Sequence, residues 1–158
     1  MTDLSKPPSA SPSPDTLRKL HAARAHSAYE RALAACRHAG IAPDAAQTVP
    51  TSPVGRAANA LRLSAQSLTA LADTAPDPAA DARCARNAAA TAALAAQVAG
   101  SLDDRAETAT ALRAALTASQ AAATAAGGTA AGQDTALNAK ADDTEERAVA
   151  AARSAGWM

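Results

Sequence analysis

Large apolar side chains are scarce in this chain. Phenylalanine is absent, tryptophan and tyrosine occur once each, and isoleucine occurs only as Ile41. About one residue in three is alanine, so most of the 48% of residues that are hydrophobic carry only a methyl group. Alanine has the highest helix propensity and loses no side-chain entropy on folding. We therefore expect helices that form readily around a thin core, and self-association as a consequence.

Further absences narrow the function classes. The formal net charge is zero, so the chain lacks the overall basic footprint of many nucleic-acid-binding domains. No apolar run approaches the length of a membrane span, and residues 1–15 lack a basic patch followed by an apolar core. The sequence contains no phosphate-binding loop, nucleophile elbow or dinucleotide fingerprint. These observations favour a cytoplasmic protein with no membrane partner, and an enzyme is the least favoured class.

Cysteine and histidine are metal-ligand types, but their spacing argues against a metal site. Cys36 and Cys84 lack CxxC spacing and are expected to be reduced thiols, unless the chain is exported without a signal peptide. A two-ligand site on a helix needs residues three or four apart. His21 and His26 are five apart, and Cys36 and His38 are two apart. We therefore predict surface histidines, a packed thiol, and no metal or cofactor.

The base composition of the gene is a competing explanation for the alanine. Arginine outnumbers lysine about four to one, and asparagine, isoleucine and tyrosine are scarce. GC-rich codons favour this pattern, which indicates a bacterial source. At the extreme, the reading frame would be only weakly selected. Repeated Ser–Pro helix starts and glycine stops argue against that extreme.

The first forty residues carry clear start and stop signals. Residues 1–13 are rich in proline and serine and are predicted to be a disordered, solvated tail. Ser13 followed by Pro14 is typical of a helix start, because serine caps the first turn and proline suits the first helical position. Gly40 supplies a stop. The first helix is therefore predicted over about 14–39.

Three more helices are predicted, over about 53–74, 78–126 and 135–155. The first two begin with proline preceded by a capping residue, and glycines follow the last two. The apolar seam stays in phase across Gly100, which favours one long third helix, with or without a kink at that glycine. The alternative is a stop at Gly100 and a new capping box from Ser101.

These signals predict an all-α fold. We expect an antiparallel bundle of about four helices, one of them long, behind the disordered tail. Residues 14–158 are predicted to form a single alanine-rich domain. Seams lined by alanine allow helix axes to approach toward the low end of the usual range of about 8–10 Å.

The larger aliphatic residues of the second and third predicted helices recur at spacings of three and four. Such spacing is typical of a bundle or coiled-coil seam. The positions expected to provide packing or interaction contacts are Val54, Leu61, Leu68, Leu71, Val98, Leu102, Leu112 and Leu116.

Trp157 stands one residue from the C-terminus and has two interpretations. With Gly156 as the residue after the helix cap, the indole packs back on Ala151 or Ala152. Otherwise it is an exposed anchor for a partner, because tryptophan is enriched at binding hot spots.

Basic residues concentrate on the first predicted helix. Those able to contact phosphates are Arg18, Lys19, Arg24, Arg31 and Arg37. Arg24 and Arg31 are seven residues apart and share one helix edge. Such a row either contacts nucleic-acid phosphates or lies beside a bundle seam and pairs with acidic neighbours.

Four carboxylates lie close together within residues 142–146. Asp143 and Glu146 stand at the spacing of a capping box, so we place this stretch at the start of the stronger half of the last helix. Capping and compensation of the helix dipole then explain the charges better than catalysis does.

Together these features favour a non-enzymatic helical interaction or scaffolding protein that self-associates through alanine and leucine seams. Its expected partner is a second copy or another helical protein. The alternative is an accessory nucleic-acid-binding protein, of the type that mobile elements encode, acting through the basic first helix.

Overall fold

A computed structural model describes residues 12–42 and 51–158, and every regular element within them is an α-helix. In chain order the helices are α1 (Pro14–His38), α2 (Pro53–Ala72), α3 (Pro78–Gly100), α4 (Ala106–Ala126) and α5 (Thr135–Ser154). The all-helical prediction is confirmed. Residues 1–11 of the predicted tail lie outside the described residues.

Capping residues precede four of the five helices, whereas Arg105 before α4 makes no side-chain cap bond. The Ser13 hydroxyl accepts a hydrogen bond from the Thr16 amide, and the Ser52 hydroxyl accepts one from the Gly55 amide. In both cases proline occupies the first helical position, where its missing N–H costs nothing. Asp134 caps α5 in the same way.

The prediction of one long helix over 78–126 is wrong, and with it the count of four. The Ser101 amide and hydroxyl both bond to Val98 O, which closes the last turn of α3. The chain then reverses, and α4 packs back along α3. A Cβ added at Gly100 would lie 3.4 Å from Leu112 Cδ2, so the two helices are in contact immediately after the turn. Both helices bury alanines spaced three and four residues apart, but the buried alanines of α4 do not continue the register of those of α3.

Consecutive helices run antiparallel, so α1, α3 and α5 point the same way. Helices α1, α3, α4 and α5 form a closed ring of neighbours, and α2 packs on α1 and α3. The most extensive interface joins α1 to α3. The Arg18–Asp81 ion pair joins these two helices. Their buried apolar residues are mostly alanines: Ala25, Ala28, Ala32 and Ala35 on α1, and Ala85, Ala88, Ala92, Ala95 and Ala99 on α3.

The larger side chains of the core lie toward the ends of the bundle. Leu68 and Leu71 of α2 join Cys84 and the alanines of α1 and α3 at one end. Ile41 and Trp157 join Cys36 and further alanines at the other. None of the helices formed by residues 12–42 and 51–158 is long and apolar enough to cross a bilayer.

Candidate functional site

The basic edge of α1 packs against the acidic stretch of α5. Arg31 and Glu145 are both buried and form a two-bond pair: Arg31 Nε donates to Glu145 Oε2 and Nη2 donates to Oε1, each at 2.6 Å. The Ser27 hydroxyl donates a further bond to Oε2. A bidentate arginine–carboxylate pair with an extra donor is among the stronger polar contacts in proteins. It fixes the register of α1 against α5.

A second pair lies two turns earlier on α1. Arg24 Nε donates to Asp142 Oδ1 at 3.0 Å, and Arg24 Nη2 lies 2.8 Å from His21 Nδ1. A guanidinium only donates, so His21 Nδ1 must be the acceptor. The proton of the neutral ring is then on Nε2, which donates to Gly132 O at 2.8 Å. Both ring nitrogens of His21 are therefore occupied.

Burial opposes charge at this pair. Burial is the largest cause of the lowered pKa of His21, and the Arg24 charge lowers that pKa further. The hydrogen bond to Gly132 O acts in the opposite direction. Burial also raises the pKa of Asp142, although Arg24 acts in the opposite direction. Asp142 is partly open to solvent, and its charge costs less there than in the core.

The turn between α4 and α5 covers the polar cluster of His21, Arg24 and Asp142 through Gly132. Gly132 O accepts both from His21 and from Asn138 Nδ2, the latter at 3.0 Å. Gly132 has φ of +78°, and a Cβ there would collide with Pro78 O and lie 2.7 Å from Ala82 Cβ. Only glycine therefore fits where the turn meets α1 and the start of α3.

Arg18 joins three helices at the same end of the bundle. Its Nε lies 2.8 Å from the buried Asp81 carboxylate of α3, as an ion pair rather than a well-aligned hydrogen bond. Its Nη1 donates to Leu71 O and Thr74 O at the end of α2. A cation on the last carbonyls of a helix satisfies unpaired acceptors and complements the helix dipole.

Two sequence-based interpretations of this region are wrong. His21 is fully buried, not at the surface, because the turn at Gly132 covers it. The acidic stretch lies in the middle of α5, since that helix begins at Thr135. Its charges are therefore not capping groups: Asp142 and Glu145 face α1, and Asp143 pairs with Arg147 one turn later at the surface.

The five basic residues of α1 divide into two groups. Arg18, Arg24 and Arg31 are held in the ion pairs described above, whereas Lys19 and Arg37 are exposed. The heptad spacing of Arg24 and Arg31, set beside the acidic stretch, was a usable signal for the pairing. Nothing local in the sequence singles out Ser27, Asp81, Gly132 or Asn138, whose partners are distant along the chain.

Trp157 packs inward through a Schellman cap. Its amide donates to Ala152 O at 2.9 Å, the Gly156 amide donates to Arg153 O at 3.0 Å, and Gly156 has φ of +78°. The indole is 7% exposed and lies 6.1 Å from the His38 ring, centroid to centroid. Gly40 and Ile41 form the same motif at the end of α1, and Ile41 and Trp157 belong to one apolar cluster.

Both thiols are buried and free. Burial raises the pKa of Cys36 and of Cys84. Within the part of the chain that the structure describes, no three histidine, cysteine, aspartate or glutamate side chains come together as a metal site would require.

The predicted seam residues are divided between core and surface. Leu68 and Leu71 are buried, and Leu61, Val98 and Leu112 are partly buried against the core. The other three, Val54, Leu102 and Leu116, are 38%, 56% and 38% exposed.

The exposed seam residues surround the C-terminal half of α3. Residues 87–102 contain no charged side chain. Val54, Leu94 and Val98, together with the exposed Arg56, line an open, mostly apolar groove of about 420 Å³ between α2 and α3. Leu102 follows α3 directly, and Leu116 lies one turn beyond Leu112, which contacts α3 at Gly100. This mostly apolar surface is the candidate interaction site, and Arg18 of α1 links α2 and α3, two of the helices that form it.

Comparisons with protein-family models, with curated proteins and with solved structures find no match to this chain.

Proposed function

We propose that this chain is a non-enzymatic helical interaction or scaffolding protein that self-associates through aliphatic surface on α2, α3 and α4. The observation that carries the proposal is the exposure of Val54, Leu102 and Leu116 near the C-terminal half of α3, where residues 87–102 carry no charge. The chain has few large aliphatic residues, and yet several of them are exposed to solvent instead of being buried in the core. Clustered exposed apolar residues are typical of protein-interaction sites.

The packing of the monomer supports the same proposal. The buried apolar residues of α1 and α3, its two most extensively packed helices, are mostly alanines, each of which buries little apolar area compared with a leucine. Burying the exposed aliphatic residues against a second molecule adds the apolar area that the core lacks. Association and folding stability are then coupled, because a partner that binds the folded state stabilises it.

Sedimentation velocity and light scattering on the full chain, from low micromolar to submillimolar concentration, test the proposal. We expect a concentration-dependent shift from monomer to a defined oligomer. The urea midpoint is expected to rise with protein concentration in parallel. A compact monomer over the whole range, with a midpoint that does not change, would contradict self-association.

Nucleic-acid binding by α1 is the alternative hypothesis, and it has less support. Arg18, Arg24 and Arg31 already pair with carboxylates of the same chain, which leaves Lys19 and Arg37 as the exposed cations of that set. Retention on duplex DNA across a salt series discriminates the two hypotheses, since phosphate contacts are strongest at low salt. Retention at low salt that Lys19→Ala and Arg37→Ala together abolish would favour the alternative.

A further inference from the structure

A groove, which we call the α1/α5 groove, lies between the first turns of α1 and the first half of α5. Its volume is about 500 Å³, and its walls are mostly apolar, with Leu17 and Leu20 on the α1 side and Ala139 on the α5 side. Pockets that bind small molecules span about 300–1,000 Å³ and combine apolar walls with a few polar groups. The groove lies where α1 and α5 begin, whereas the exposed Leu102 follows the opposite end of α3. It is therefore separate from the surface proposed for self-association.

Two hydrogen-bond acceptors of α5 line the α1/α5 groove. Asn138 and Asp142 are four residues apart, which places them one turn apart on the same face of the helix. Asn138 is 3% exposed; its Nδ2 donates to Gly132 O, but no described group donates to its Oδ1. A buried acceptor without a donor is unfavourable. A bound molecule that supplies a donor would remove this cost.

Asp142 is the more accessible of the two acceptors. Its side chain is 33% exposed, and its Oδ1 accepts from Arg24 Nε at 3.0 Å. A carboxylate has about four lone-pair sites, so Asp142 can accept a further bond while it holds Arg24. Burial raises the pKa of Asp142, although Arg24 acts in the opposite direction, so another donor would stabilise the carboxylate. Both acceptors therefore match a ligand that donates a hydrogen bond.

The charges beside the groove favour a ligand without net charge. A carboxylate or phosphate ligand has acceptors alone and would face Asn138 and Asp142 without a donor. An ammonium ligand would donate, but it would lose hydration in a mostly apolar groove. It would also meet Lys19, which lines the groove from α1, is exposed, and forms no ion pair with another described residue.

We infer that the α1/α5 groove binds a small uncharged molecule with an apolar body and a hydroxyl or N–H donor, of which an alkylphenol is the simplest example. The apolar body packs against Leu17 and Leu20, and the donor bonds to Asp142, with Asn138 Oδ1 as the second acceptor. An apolar side chain of a second copy, or Leu4 of this chain, would cover the groove without supplying a donor. The unpaired acceptor therefore favours a small ligand over a protein segment.

Isothermal titration calorimetry of the full chain with matched ligands tests the ligand class. We expect para-butylphenol to bind with a Kd of about 1 mM or below. The ether para-butylanisole has the same apolar body without the donor and should bind at least about tenfold more weakly, because a hydrogen bond to a charged acceptor is lost. The ions para-butylbenzoate and para-butylbenzylammonium should also bind more weakly than the phenol. Equal binding of phenol and ether, or tighter binding of either ion, overturns the inference.

A pair of alanine variants tests the location. Ala139 and Ala150 are both exposed residues of α5, and Ala139 lines the groove whereas Ala150 does not. Leucine is nearly as good a helix former as alanine. Ala139→Leu should weaken para-butylphenol binding at least about tenfold by filling the groove, and Ala150→Leu should leave the Kd unchanged. Circular dichroism confirms that both variants fold. An unchanged Kd in Ala139→Leu overturns the inference.

Asp142→Asn tests the polar contact through a ratio of affinities. The ratio of the ether Kd to the phenol Kd should fall from about tenfold to about threefold, because a hydrogen bond to a neutral acceptor is weaker. A general loosening of the groove would weaken both ligands equally and leave this ratio unchanged. An unchanged ratio therefore overturns the assignment of Asp142 as the acceptor.

Two further variants test the competing occupants. Leu4 lies outside the described residues. Leu4→Gln should leave the Kd of para-butylphenol within about threefold of the original, whereas binding at least about tenfold tighter would assign the groove to the chain's own first residues and overturn the inference. Lys19→Met should likewise leave the Kd within about threefold, and a tenfold loss would point to an anionic ligand instead.

The outcomes separate this inference from the proposed function. A chain that binds para-butylphenol in the groove and stays monomeric supports the groove and contradicts self-association. A chain that self-associates but does not bind para-butylphenol overturns the groove alone.

Discussion

Replacement of Gly132 by alanine tests the packing of the turn between α4 and α5 against the rest of the bundle. Two independent costs are expected. A left-handed backbone costs an alanine about 1–2 kcal/mol relative to glycine. The added Cβ would also collide with Pro78 O and lie 2.7 Å from Ala82 Cβ and 3.1 Å from His21 Nε2, where carbon atoms prefer about 3.5–4.0 Å. Relieving such overpacking costs about 1–3 kcal/mol.

Gly156 is a matched control for the first cost. It has the same φ of +78° as Gly132, but a Cβ there meets nothing within 4 Å. Gly156→Ala should therefore lower the free energy of unfolding by only about 1–2 kcal/mol. Gly132→Ala should lower it by about 2–5 kcal/mol, the sum of strain and overpacking.

Urea unfolding followed by circular dichroism measures both variants. Every sample needs the same protein concentration, because association contributes to apparent stability. With a slope of about 2 kcal/mol per molar urea, the midpoint of Gly132→Ala should fall about 1 M below that of Gly156→Ala. Midpoints that coincide would show that the turn does not pack against α3 and His21, which would refute the described closure of the polar cluster.

Three further predictions concern buried groups. Glu145→Gln should cost about 3–5 kcal/mol of unfolding free energy by leaving Arg31 buried without its counter-charge. The double variant Arg31→Met, Glu145→Leu should cost less than Arg31→Met or Glu145→Leu alone. A simple sum of those two single costs would contradict the direct pairing. Burial, with the Arg24 charge, lowers the pKa of folded His21, whereas Asp81 and Asp142 act in the opposite direction. The unfolded chain therefore binds more protons than the folded chain below about pH 6.5. Stability should fall as the pH falls through that value. His21→Gln should remove this part of the pH dependence in urea titrations, and an unchanged slope would place its origin elsewhere. The thiols of Cys36 and Cys84 are buried, and burial raises their pKa values. They should therefore react with a disulfide reagent at a rate limited by opening of the fold. Fast reaction in native buffer would contradict their burial.

Much of the helical architecture could be read from local signals. Ser13–Pro14 and Ser52–Pro53 start helices as predicted, and Gly40 and Gly156 end them with Schellman caps. These signals act within a few residues of chain, so the sequence is enough to recognise them. Gly156 also indicated that Trp157 packs inward, which was one of the two interpretations of Trp157 from the sequence.

The break between α3 and α4 could not be decided in the same way. Gly100 is compatible with a continuing helix and with a stop, and the heptad-like apolar series of the sequence keeps one phase across it, although the alanines that become buried do not. The reversal depends on α4 packing against α3, through contacts such as Leu112 at Gly100. That contact joins residues whose proximity exists only after the chain has turned back.

The polar cluster lies between these extremes. The heptad spacing of Arg24 and Arg31 predicted a row of cations beside a seam, and the composition of residues 142–146 supplied carboxylates that could face it. Burial of His21 followed only from Gly132, a hundred and eleven residues away, whose carbonyl accepts from the imidazole.

Composition and short-range signals thus determined that this chain is helical, where its caps lie and that its core is thin. The tertiary structure alone decided which arginines are neutralised, which histidine is buried and which leucines remain in water. The physical reason is the distance along the chain over which each interaction acts. Capping and helix propensity act within one turn, whereas ion pairing and burial depend on segments that meet only when the bundle closes.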